Sequence, residues 1–133
     1  MPAAFDLSRT FIHLRDGGDA REIPLTRSFW RATSDAAYDR VVGVVEFRSD
    51  SDLHADSQEV HPEADEVLVV LDGAVDLLLD EGEAERCVPL ESGEAAIVGR
   101  GVWHRLLMRA PGRLLFINSR VGMRSQLARA PRR

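Results

Sequence analysis

"EVHPEADEVLVVLDG", residues 59–73, sets Glu59, His61, Asp65 and Glu66 around a proline and then runs straight into apolar residues. An acidic, solvated loop leading into a β-hairpin is the plainest reading. Strand periodicity gives a sharper one. Glu59 and His61 are two apart, so an extended chain points both side chains the same way. Pro62 ends that run and turns a corner. Glu66 opens the next strand, with Leu68 and Val70 on its face. A fourth candidate, His104, lies in "GRGVWHRLLM" (99–108), just after a glycine-rich turn and at the start of another strand. Nitrogen and oxygen donors brought together from three strands are what a small barrel needs to bind a divalent metal.

The surrounding text also reads as strands. "RVVGVVEF" (40–47), "EVLVVLD" (66–72), "AVDLLLD" (74–80), "RCVPL" (86–90), "EAAIV" (94–98), "VWHRLLMR" (102–109) and "RLLFINS" (113–119) are separated by turn signals. Asp72-Gly73 between two apolar runs predicts a hairpin, and "APG" (110–112) predicts another turn. Earlier, "RTFIHLR" suggests a short strand, "DGGD" a turn, and "TRSFWRATSDAAYDR" a short helix around Trp30. Many short strands with tight turns indicate an all-β sandwich or barrel rather than a βαβ fold. Several strands are apolar on both faces, which fits a closed antiparallel jelly-roll and predicts a homodimer, with an N-terminal strand as the candidate contact.

The 133 residues are expected to form one domain (1–133), with an N-terminal arm (1–40), a barrel core (about 41–119) and an Arg-rich tail (120–133). No stretch approaches the ~20 apolar residues of a membrane span, and the start lacks the pattern of a signal peptide. Cys87 is the single cysteine, so no intrachain disulfide exists and a cytoplasmic, bacterial-type setting is expected. The net charge of −5 gives no general pull toward nucleic acid. Residues 50–66 carry acids without an arginine, whereas from Arg113 onward every charge is basic. That tail has no aromatic interleaving, which leaves a solvated segment or an intrachain partner for the acidic loop. Neither a nucleophile–His–acid motif nor a phosphate or dinucleotide loop is present.

"HPEADEVLVVLDG" and "SGEAAIVGRGVWHRLLM" together resemble the two sequence motifs of the cupin superfamily, in particular its small single-domain bacterial members of the cupin 2 type. Gly73 matches the glycine that closes the first motif; Gly93 and Gly101 match glycines of the second. The resemblance spans roughly residues 41–119. It implies a double-stranded β-helix, and it places His61, Glu66 and His104 on three of the four usual ligand positions. Three departures stand out: Glu59 replaces the first histidine, Gly99 the proline of the second motif, and Met108 its asparagine. The implied chemistry includes dioxygenase, isomerase, decarboxylase and lyase reactions on small oxygenated molecules, and also binding or sensing without turnover.

Glu59 bears on the metal. Two histidines and two glutamates would neutralise a divalent ion, making it a weaker Lewis acid than the commoner set with three histidines. Added oxygen donation favours Mn, Fe, Zn or Ni over Cu(I). Without metal, repulsion between Glu59 and Glu66 predicts that one carboxyl takes up a proton readily and serves as an acid. His54 has the opposite parity and is a minor substitute ligand. His13 reads as structural, and Trp103 as outer-face packing opposite His104. Leu106 and Met108 are expected to line the pocket, and Cys87 to be a small buried strand residue. The expected function is divalent-metal binding with a small-molecule ligand or substrate. The alternative is a metal-free binding or sensing pocket.

Overall fold

The computed structural model describes residues 2–31 and 37–128. The N-terminal arm supplies a hairpin, β1 (Thr10–Leu14) and β2 (Ala20–Pro24), and a one-turn helix α1 (Arg27–Arg31). The remainder of the expected helix around Trp30 falls on residues 32–36, outside the described residues. There follow β3 (Val41–Phe47), a 3₁₀ turn (Asp50–Leu53), β4 (Ser57–Val60), β5 (Glu66–Asp80), β6 (Glu85–Glu91), β7 (Ala95–Val98), β8 (His104–Asn118) and β9 (Arg124–Leu127). Every pairing is antiparallel. The expected strands and their class are therefore present, and the architecture is an antiparallel double-stranded β-helix.

The turns at 72–73 and 110–112 are a correction. Neither is a hairpin. β5 and β8 are each 15 residues long and run through those positions, pairing with each other on both sides. Residues 67–70 pair with 114–117, residues 74–79 pair with 104–110, and the register slips between them. This slip is a paired bulge that bends a two-stranded ribbon. Gly73 takes φ +80°, and a Cβ there would sit 2.6 Å from the Ala110 carbonyl oxygen. A Cβ on Gly112 would collide with the Asp72 carbonyl and lie 2.7 Å from the Gly73 nitrogen. Arg113 Nε donates to Asp72 Oδ2 at 2.7 Å across the bend.

The bent ribbon carries both sheets. Its Glu66–Val70 and Leu114–Asn118 half lies between β3 and β7, with β1 and β2 beyond β3. Its other half lies between β4 and β6, with β9 beyond β4. The pairing path is open, so the barrel is not closed by hydrogen bonds as the sequence suggested. Side chains fill the interior. Phe11, Phe47, Leu68, Val70, Val75, Leu77, Leu114 and Phe116 are buried in one core. Phe11 stacks edge-on against Phe116 (5.1 Å) and Phe29 (5.6 Å).

Several single residues depart from or agree with expectation. Cys87 is exposed, because β6 is an edge strand and turns that position outward. Its thiol pKa is raised by local desolvation and the Asp76 charge, so it is not an activated nucleophile. Part of the basic tail is built into the fold: β9 pairs with β4, and Arg120 is buried, its Nη2 donating to the Phe29 carbonyl at 2.9 Å. His13 is structural, bonded to Asp39 at 2.8 Å. Trp103 carries the Arg124 guanidinium at 5.6 Å.

Candidate metal centre

Two loops bring the donors together. The Gly101 N–H donates to the His61 carbonyl at 3.0 Å, and the Arg100 N–H donates to Asp65 Oδ1 at 2.9 Å. Gly101 makes the turn at φ +80°. Asp65 thus has a mechanical role, fastening the loop after β7 to the loop before β5. The consequence is that His61, just past β4, Glu66, first in β5, and His104, first in β8, all face one point.

His61, Glu66 and His104 are all buried, and each offers a ligand atom within 4.8 Å of the others. His104 Nε2 lies 2.7 Å from Glu66 Oε1, and His61 Nε2 lies 3.4 Å from Glu66 Oε2. Both rings are held from behind. His61 Nδ1 is 2.8 Å from the Ser119 carbonyl, and His104 Nδ1 is 3.0 Å from the Val102 carbonyl. A carbonyl only accepts, so each Nδ1 carries the hydrogen and each Nε2 is the atom presented to the centre. This backing is typical of metal-ligating histidines. His61 Nε2 is buried and has no well-formed hydrogen bond. Burying such an atom is unfavourable unless something binds it.

Glu59 stands apart from these three. It is half-exposed on the wall of the pocket, with Oε2 3.7 Å from His61 Nε2. The expectation that a carboxyl here binds a proton readily fails for Glu66. Burial alone would raise its pKa, but His104 and His61 together hold it well below the usual carboxylate range. For both histidines burial is the largest influence and acts downward, yet Glu66 outweighs it and their pKa values are raised. The proton of this centre therefore sits on imidazole, not on carboxyl.

Glu59, Glu66 and His104 open onto a cavity of about 150 Å³. Leu68, Leu106, Leu114 and Phe116 form its apolar walls, with His54 and Asp52 also on its lining. Leu106 lines it as expected, whereas Met108 packs into the core beside it. Asn118 was missed in the sequence. Its Nδ2 donates to Glu66 Oε2 at 2.8 Å, and it lines the cavity. The signal was there, since Leu114, Phe116 and Asn118 share one parity on β8.

No family model matches the chain, and no curated protein matches it. Solved structures do. A double-stranded β-helix protein from Klebsiella pneumoniae is 20% identical with a TM-score of 0.52, over 69% of this chain and 76% of its own. Hydroxypropylphosphonic acid epoxidase from S. wedmorenis, in complex with fosfomycin, is 24% identical with a TM-score of 0.52. That match covers 62% of this chain, which spans only 44% of the epoxidase. The epoxidase, HppE, has also been solved with Fe(II) and with Co(II) and substrate. A cupin-2 domain protein from Shewanella frigidimarina is 19% identical with a TM-score of 0.48, over 62% of this chain and 72% of its own. At these identities the likeness is one of fold. The chain has the cupin fold, with a His/Glu/His cluster inside it that suits a metal ion.

Proposed function

We propose that this protein binds one divalent metal ion through His61, Glu66 and His104, with Glu59 as the fourth donor, and holds a small organic molecule beside it. The observation that carries the reading is the pair of imidazoles fixed by backbone carbonyls so that both Nε2 atoms face one buried carboxylate. The donors suit Fe, Mn, Ni or Zn. The HppE structures with Fe(II) and Co(II) support a mid-row transition metal on the same fold.

When bound, such an ion supplies Lewis acidity to an oxygen of the ligand. The chain's own residues do the rest. The walls made by Leu68, Leu106, Leu114 and Phe116 exclude water and take an apolar body. The oxygenated end lies toward the donor end of the cavity, where Glu59, Glu66 and His104 stand. Ligands of this class are small, apolar along most of their length, and carry oxygen donors at one end. Exposed Ile97 and Leu127, on edge strands β7 and β9, support pairing of two copies.

Metal content decides the reading. Untagged protein purified without chelators is expected to hold about one equivalent of metal per chain, and His61→Ala and His104→Ala to lose it. Metal retained in both variants would show that the ligands lie elsewhere. A wild-type that takes up none, even after reconstitution, would leave the apolar cavity as a binding pocket without a metal.

A further inference from the structure

Glu66 has two oxygens, and the protein treats them differently. Oε1 faces His104 Nε2 at 2.7 Å. Oε2 accepts from Asn118 Nδ2 at 2.8 Å and lies 3.4 Å from His61 Nε2. Asn118 is well placed for this task. It ends β8, its backbone pairs with Val41 of β3, and its neighbour Ile117 pairs with Val67 of β5. The amide is therefore anchored from two strands, directly across from the carboxylate it touches. Without the amide, Oε2 would keep only the long 3.4 Å approach of His61 Nε2, leaving the carboxylate held closely at Oε1 alone and freer to turn about its last bond. The amide removes that freedom at the cost of no added charge.

We infer that Asn118 is a positioning residue of the centre: its amide fixes the Glu66 carboxylate so that an oxygen is presented to the two histidines. The inference rests on the metal-binding reading above, and goes beyond it by naming a residue that binds no metal yet sets how well metal is held. Partners of this kind are typically worth about 10- to 100-fold in metal affinity. Nδ2 donates to the carboxylate and has no lone pair for a metal, so its contribution is orientation.

The test is a Zn(II) titration of the whole chain against a chromophoric chelator, beside the melting temperature of the metal-free protein. Asn118→Leu, similar in size but without a donor, is expected to bind about 10- to 100-fold more weakly than wild-type. Asn118→Gln, which keeps the amide, is expected to recover most of that loss. A merely structural residue would lower the melting temperature and leave the affinity of folded protein unchanged. If Asn118→Leu does not fold, Asn118→Ser takes its place, with the same weakening expected. Wild-type affinity in folded Asn118→Leu, or in Asn118→Ser where that takes its place, would overturn the inference while leaving the metal site intact. A wild-type that binds no Zn(II) would overturn the metal site and this role together.

Discussion

Gly112→Ala is expected to destabilise the protein by about 3 kcal/mol or more, lowering its melting temperature by about 10 °C. The cause is local and steric. An alanine Cβ at 112 would collide with the carbonyl of Asp72 on the facing strand and crowd the Gly73 nitrogen at 2.7 Å. Both obstacles are backbone, so no side chain can rotate away. Relief requires the strands to separate where the ribbon bends, and that bend joins the two sheets. Gly73→Ala should behave similarly, through its positive φ as well as the Ala110 carbonyl. The control is Gly99→Ala, whose Cβ would meet nothing nearer than Val102 Cγ2 at 3.8 Å. It is expected to stay within about 0.5 kcal/mol of wild-type. Urea unfolding with an unchanged slope measures all three. A Gly112→Ala midpoint equal to that of Gly99→Ala would mean the crossing is looser than described.

The same crossing shows where the sequence stops being legible. Apolar runs identified β1, β3, β5, β6, β7 and β8 but not β2 or β9, while β4 was read only from the parity of Glu59 and His61; the class of fold followed from the number and spacing of the runs. Asp72-Gly73 and Pro111-Gly112 were ambiguous, because a glycine that permits positive φ or close approach serves a hairpin and a bulge equally well. What separates the two is which strand lies opposite, and pairing between residues 67–79 and 104–117 is long-range information. Cys87 misled for a related reason. Burial of a strand residue depends on whether its strand is central or at an edge, and "RCVPL" does not say.

The site was more legible than the fold's connections. Parity around Pro62 placed Glu59 and His61, and the glycine turn before His104 placed the third strand. His61, Glu66 and His104 do come together. What single-residue reasoning missed was support: the Ser119 and Val102 carbonyls behind the rings, Asp65 on the Arg100 N–H, and Asn118 on Glu66. Backbone acceptors carry no signature in sequence. For Glu66 the protonation argument failed because it weighed only the other carboxylate and left the imidazoles out. Two nearby rings within reach of one buried carboxylate outweigh a half-exposed second carboxylate.

That balance yields the second large expected effect, a reversal in how stability of the metal-free protein responds to pH. In wild-type, Glu66 raises both histidine pKa values above 6.5, against the opposing effect of burial. Groups raised on folding stabilise fully below the unfolded value of about 6.5 and lose that contribution as pH climbs through the folded value. Glu66 itself is depressed from 4.5, so its contribution is present above that value and lost as pH falls through the folded one. Metal-free wild-type should therefore be most stable between about pH 4.5 and about pH 6.5, and should be less stable at about pH 8 than at about pH 6. In Glu66→Gln the attraction is gone and burial of the imidazoles remains. Their pKa values then fall below 6.5, and stability should rise over the same interval. At about pH 6 the variant should lie near the lower end of the ~3–5 kcal/mol that breaking a buried pair costs, since imidazole can shed its proton. Divalent metal binds deprotonated Nε2, so saturating metal should abolish the wild-type decline and stabilise most at the alkaline end. Melting curves at the two pH values, with and without metal, read all of this. Parallel slopes for wild-type and Glu66→Gln would mean that Glu66 does not govern the imidazole protons, and that the charge balance of the centre is set by another group.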